Sequence, residues 1–184
     1  MGKVVPVVDD ALRDWIAAQR VFFVASAPSG DGGHVNCSPR GGDALRVLSP
    51  TTIAWPDRAG SGIETIAHLR QNGRIVVMLC AFEGPPRIVR LHGRGEVVVA
   101  GTAEFERLQP SFPGPWLGVR AIVRVELSRI SDSCGFGVPL LQFVGQRDTM
   151  RTWAEKKGEA GVANYVKEKN ARSLDGLPGL DGLG

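Results

Sequence analysis

Glycine and proline punctuate this chain at short intervals, leaving room for brief extended segments rather than long helices over most of its length. The 24 glycines and 12 prolines imply many tight turns, which favour a β-rich architecture over a helical bundle. Between the turns lie runs of β-branched and aromatic residues. Residues 21–27 (VFFVASA) read as a buried strand, and 34–38 resume an extended pattern after a Gly-rich turn, giving a β-hairpin ended by Pro39, Arg40, Gly41 and Gly42. Residues 44–48 and 52–55 read as two short strands, followed by a loop over 56–62. Residues 74–82 (RIVVMLCAF) form the most apolar strand, 87–100 a long one, and 120–130 alternate as a half-exposed strand. Helical spacing is confined to a short segment after Asp9 or Asp10, to 63–71 ending at Asn72-Gly73, to 102–108, and to charged stretches at 147–155 and 162–170. Residues 109–118 read as an ordered loop, and the tail from Ser173 as extended. The predicted fold is mainly β: a barrel of about six or seven strands with helical decoration. It is predicted as one domain over 1–184, with a core at about 8–145 and a helical extension and tail at about 146–184.

The charge pattern narrows the function classes. The net charge is +3 and the pI about 9.0, with no dense basic stripe, so nucleic-acid binding is not expected. Scattered arginines suit a small phosphorylated ligand, because the guanidinium fork matches phosphate oxygens. The cysteines at 37, 80 and 134 have neither disulfide-framework nor zinc spacing, and reduced thiols in a cytoplasmic protein are the expectation. No apolar run approaches membrane-spanning length, and the first ten residues do not read as a signal peptide. His34, His68 and His92 lack metal-ligand spacing.

Three constellations could carry chemistry. The first closes a strand: Ser38 offers a hydroxyl, Arg40 a bidentate phosphate donor, and Gly41 and Gly42 close backbone approach. It also reads as a plain turn. The second runs from Asp57 and Arg58 through Gly60, Ser61 and Gly62 to Glu64 and Thr65. A Gly-rich loop entering a helix presents free amides to an anion; equally, Ser61 with Glu64 reads as a capping box. The third is the Gly/aromatic loop Cys134, Gly135, Phe136, Gly137, suited to stacking on a flat ring or to a tight turn with one buried Phe. Arg87, Arg90 and Arg94 form a basic row, with Arg90 and Arg94 sharing a face.

The segments HVNCSPRGG, TTIAWPDRAGSGIETIAHLRQNGRIVVMLCAF, GPPRIVRLHGRGEVV and SCGFGVP, in this order, resemble the pyridoxamine 5'-phosphate oxidase-like split-barrel family over roughly residues 8–145. That resemblance implies a homodimer holding FMN at the subunit interface. Arg40, Arg58, Ser61 and Thr65 then correspond to phosphate and ribityl contacts, and Ser38 and Pro39 to the isoalloxazine edge. Arg87 or Arg90 would approach the ring, with the Cys134–Pro139 loop coming from the second subunit. It further implies an FMN-dependent oxidoreductase acting on a small molecule. The open alternatives are a flavin carrier or sensor without turnover, and a split barrel using deazaflavin coenzyme F-420 or heme. The Arg-His pair with which the vitamin oxidases grip their substrate near a C-terminal strand is not found, so the resemblance does not extend to pyridoxamine 5'-phosphate as substrate.

Overall fold

A computed structural model describes residues 2–180 of the chain. Eight strands alternate with four helices: β1 (Lys3–Val5), α1 (Asp10–Ala18), β2 (Phe22–Ser26), β3 (Asn36–Arg40), β4 (Arg46–Ser49), β5 (Thr52–Arg58), α2 (Glu64–Asn72), β6 (Arg74–Cys80), β7 (Ile88–Val99), α3 (Ala103–Leu108), β8 (Val119–Ser133) and α4 (Thr149–Lys169). All pairings are antiparallel, in the order β3-β2-β6-β7-β8-β5-β4, with β1 joined to β8 beyond the end of β5. The sheet curls into a split β-barrel. Its inward face carries Phe22, Val24, Ile53, Trp55, Val77, Leu79, Leu91, Val123 and Val125 in one core, which α1 caps with Leu12 and Ile16.

The helix ends follow local chemistry. Asp9 caps α1, accepting the Leu12 N–H at 2.8 Å. Gly73 ends α2 in the left-handed region at φ 71°, where a side chain would be strained. Gly158, at φ 67°, divides α4 into the two helical stretches the sequence suggested.

Several expectations are corrected. Residues 56–58 belong to β5 rather than to a loop: Pro56 is tolerated because β4 pairs only with residues 52–54, so that edge of β5 needs no proline N–H. The hairpin strand likewise runs through Pro39 to Arg40. Proline 39 lies on the outermost strand of the sheet, where its missing donor costs little. The first part of β8 is buried on both faces, since Ile122 packs under Phe105 and Phe112 while Val123 faces the barrel. Ser61 does not cap α2. The cap position is Ile63, with no side-chain bond, and Glu64 accepts from Leu174 N–H at 3.1 Å instead. The tail makes a turn at residues 173–176 and a bridge between Arg172 and Pro178 rather than running extended; its last residues, 181–184, lie outside the described residues.

Candidate functional site

The barrel splits where the sheet's two ends approach each other. β3 and the open edge of β5 share no ladder, yet Arg40 reaches from β3 to Asp57 on β5, Nη2 to Oδ1 at 3.1 Å. Asp57 follows Ile53 and Trp55 on the inward face, and its side chain is 0% exposed. A second arginine, Arg120 from the start of β8, donates Nε to the other carboxylate oxygen at 2.8 Å with its side chain 6% exposed. A buried carboxylate held by two guanidinium groups is stable only while both stay in place.

The two arginines of this triad border a cleft of about 290 Å3 together with Asn36, Ser38, Arg58, the Gly60–Gly62 loop, Glu64 and Thr65. Asn36, Ser38 and Arg40 share one face of β3, as strand alternation requires. Ser38 donates to Asn36 Oδ1, and Asn36 Nδ2 to Thr65 Oγ1, both at 3.0 Å. Among the described residues, the buried Arg40 Nε and Arg120 Nη1 have no acceptor. The amides of Gly60, Ser61 and Gly62 make no backbone hydrogen bond there either, and the first turn of α2 adds further free N–H groups. Arg40, Arg58 and Arg120 against Glu64 at the cleft, with Asp57 paired behind Arg40 and Arg120, leave one positive charge in excess. Buried donors without acceptors are costly, and an oxyanion would satisfy them.

A second groove of about 1050 Å3 adjoins the cleft and shares Arg40 and Arg58 with it. Phe23, Pro39, Phe82, Phe143 and Met150 line it, with Arg20 and Arg147 at its border. Gln146 lies close above Gly41. Phe143 is held under the Arg20 guanidinium, 5.2 Å from its ring centre, and its N–H donates to Glu83 at 3.2 Å. Arg58 donates to the carbonyls of Pro115 (2.9 Å) and Leu117 (3.3 Å), and burial lowers its pKa below the ordinary arginine value.

The structure therefore gathers Ser38, Arg40, Asp57, Arg58, Gly60, Ser61, Gly62 and Thr65 at one place and puts Pro39 and Gly41 on the adjoining groove. The other named residues lie elsewhere on the chain. Arg87 pairs with Asp132 at 2.6 Å and stacks on Trp15, beside Cys134 in a separate cleft. Arg90 donates to Ser133 at 3.1 Å. Gly135 packs against the Arg87 backbone, and Phe136 is 84% exposed rather than buried. Asn36 opens the first of the three segments singled out in the sequence, whereas Arg120 and the groove residues Arg20, Phe23, Phe82, Phe143, Arg147 and Met150 were missed. Arg120 sits beside the apolar run Ala121-Ile122-Val123, a signal that its face of the strand is covered.

The family profile described as pyridoxamine 5'-phosphate oxidase matches residues 8–134. The chain belongs to the pyridoxamine 5'-phosphate oxidase family. A member of this family from Aspergillus flavus, ustO, is 39% identical over 198 residues, spanning 94% of this chain and 76% of that protein. Solved structures agree on the fold. A protein from Lactobacillus delbrueckii described as a pyridoxamine 5'-phosphate oxidase superposes with a TM-score of 0.53 at 13% identity, over 71% of this chain and 98% of its own. A HupZ variant from Group A Streptococcus gives 0.52 at 19%, over 68% and 99%. The family match covers α1 to β8 and both sides of the split; β1, α4 and the tail lie beyond it. No helix among the described residues is long and apolar enough to cross a membrane.

Proposed function

We propose that this protein is an FMN-dependent oxidoreductase acting on a small molecule. The observation that carries the reading is the pair of buried arginine donors without acceptors, Arg40 Nε and Arg120 Nη1, at the cleft with the Gly60–Gly62 amides. A phosphate monoester supplies the oxygens those donors need. The adjoining groove, walled by Phe23, Phe82 and Phe143, suits a flat ring. One compact anion cleft beside one broad groove fits a mononucleotide flavin. Heme would offer the arginines propionate carboxylates instead of a phosphate, and its absorbance bands differ from those of flavin.

In this reading Arg40, Arg120, Ser61 and Thr65 bind the phosphate, and Arg58 stands at the junction between phosphate and ring. Bound flavin supplies the hydride or electron chemistry, while the protein contributes binding, orientation and the electrostatic environment. The groove lining includes no histidine, so no residue is assigned as general acid or base.

The reading includes a homodimer. The outward face of the sheet runs through two register rows: Pro39, Phe23, Met78, Arg90 and Ser131, then Cys37, Ala25, Val76, His92 and Arg129. This mixed apolar and basic face carries Arg90 in the same row as Pro39, and a second copy covering it would bring its own residues toward the ring groove. The three unpaired thiols accord with a cytoplasmic location.

The test is the absorbance spectrum of the purified protein with and without added FMN. Flavin bands with Arg40→Ala weakening FMN about ten- to a hundredfold, the worth of one charge-assisted hydrogen bond, are expected. Unchanged affinity in a folded Arg40→Ala protein overturns the phosphate assignment. Bleaching by a nicotinamide donor and reoxidation separate an enzyme from a carrier.

A further inference from the structure

We infer that residues 170–180, outside the matched family region, form a clasp that sets the anion loop, with Asn170 as a positioning residue for the ligand phosphate. The inference rests on the phosphate reading above. Asn170 ends α4 and is fully buried, and its Nδ2 donates to the Gly60 carbonyl at 2.9 Å across 110 residues of chain. In a trans peptide unit the carbonyl and the following N–H point in opposite directions. Asn170 does not border the cleft while Gly60 and Ser61 do. Holding the Gly60 carbonyl away from the cleft therefore turns the Ser61 N–H toward it. Arg120 ties down the other flank of the loop from the cleft side, donating Nη2 to the Gly62 carbonyl at 3.0 Å.

The clasp is fastened along its whole length. Its own strands close through Gly179 N–H to Ala171 O at 2.7 Å and Leu180 N–H to Asn170 O at 3.2 Å. Leu174 N–H holds the Glu64 carboxylate at 3.1 Å, and Asp175 takes both the His34 N–H (2.9 Å) and its ring Nδ1 (2.6 Å). Arg70 donates to the Gly179 carbonyl. Leu180 packs with Ile63 and Ile66 at the root of the loop. A loop flanked by Gly60 and Gly62 has little preference for one conformation by itself. With the clasp in place its ordering cost is met on folding and not on binding, which raises affinity without any contact to the ligand.

The experiment compares the full chain with Asn170→Ala and with Asp175→Asn, which loosens the clasp at its exposed end. Backbone amide order parameters over residues 59–63 are measured by NMR relaxation without ligand, FMN affinity by titration, and folding by thermal unfolding. Asn170→Ala is expected to lower the order parameters from the roughly 0.85 of rigid backbone toward about 0.6, and to weaken FMN on the order of tenfold for one lost buried hydrogen bond. Asp175→Asn is expected to move both in the same direction by less. Leu174→Ala, on an exposed side chain, is expected to change neither. Unchanged order over 59–63 in folded Asn170→Ala overturns the clasp. Lower order with unchanged FMN affinity overturns the positioning role. If Asn170→Ala does not fold, Asp175→Asn carries the comparison with the same two outcomes. If the unaltered protein binds no FMN, the phosphate reading fails, while the order parameters still decide the clasp.

Discussion

At the scale of single residues, the site turns on a carboxylate placed where no carboxylate could stand alone. Asp57 is enclosed with Arg40 and Arg120, and breaking a buried ion pair by removing one partner leaves an uncompensated charge. Asp57→Ala is expected to lower unfolding stability by about 3–5 kcal/mol, read from urea denaturation at neutral pH. Asp57 and Arg40 were both legible in the sequence, because each lies in a Gly-bordered segment that already looked like a ligand site. Arg120 was not. A charge on an alternating strand reads as solvent-facing, and only the approach of a strand 63 residues away reveals its partner. The histidines follow the same logic of burial. Burial holds His68 below the ordinary histidine pKa against the pull of Asp175 and Glu64, and holds His92 down together with Arg129 and Arg90. A base whose pKa is depressed by folding binds more protons when unfolded, so stability rises with pH through this window. The contribution is complete above the ordinary histidine pKa of about 6.5 and is lost as pH falls below it. Thermal midpoints are expected to drop between pH 7.5 and pH 5, with a smaller drop in His68→Gln.

At the scale of elements, most strands and helices could be located from turn residues and apolar runs. The misses share a cause. Residues 56–58 contain a proline, which argues against a strand until the strand is known to have an open edge. The short strand β1 leaves no pattern of its own and exists only because β8 offers residues 130–132 as partners. Ser61 and Glu64 matched a capping box, but the clasp took Glu64 for itself. The helical C-terminus was read as stretches at 147–155 and 162–170, but it is helical over Thr149–Lys169 and breaks at the single residue Gly158. Gly158 occupies φ 67° and ψ 173°, a region essentially closed to other residues. Gly158→Ala is expected to cost about 1–3 kcal/mol and to loosen the packing of Ala154 and Val162 against Ala59, observable as a lower melting temperature.

At the scale of the whole molecule, the barrel's outward face is the surface on which the dimer reading stands or falls. Met78 and Phe23 sit side by side at its centre. Met78→Glu would bury a charge against an apolar partner surface and is expected to yield monomers by light scattering with the barrel's circular dichroism retained. Which face a second copy would cover could not be read from the sequence, since it depends on how the register aligns five strands. The register has a consequence for how the chain acquires its shape. β8 receives β7 along its full length on one side and β5 and β1 on the other. During synthesis, an emerging chain holds β1, β5 and β7 without their shared partner until β8 has left the ribosome. Closure by such distant pairings is slow, in the range of milliseconds to seconds typical of β-barrels. For that interval the apolar segments at 21–27 and 74–80 depend on pairing promptly with each other to escape aggregation.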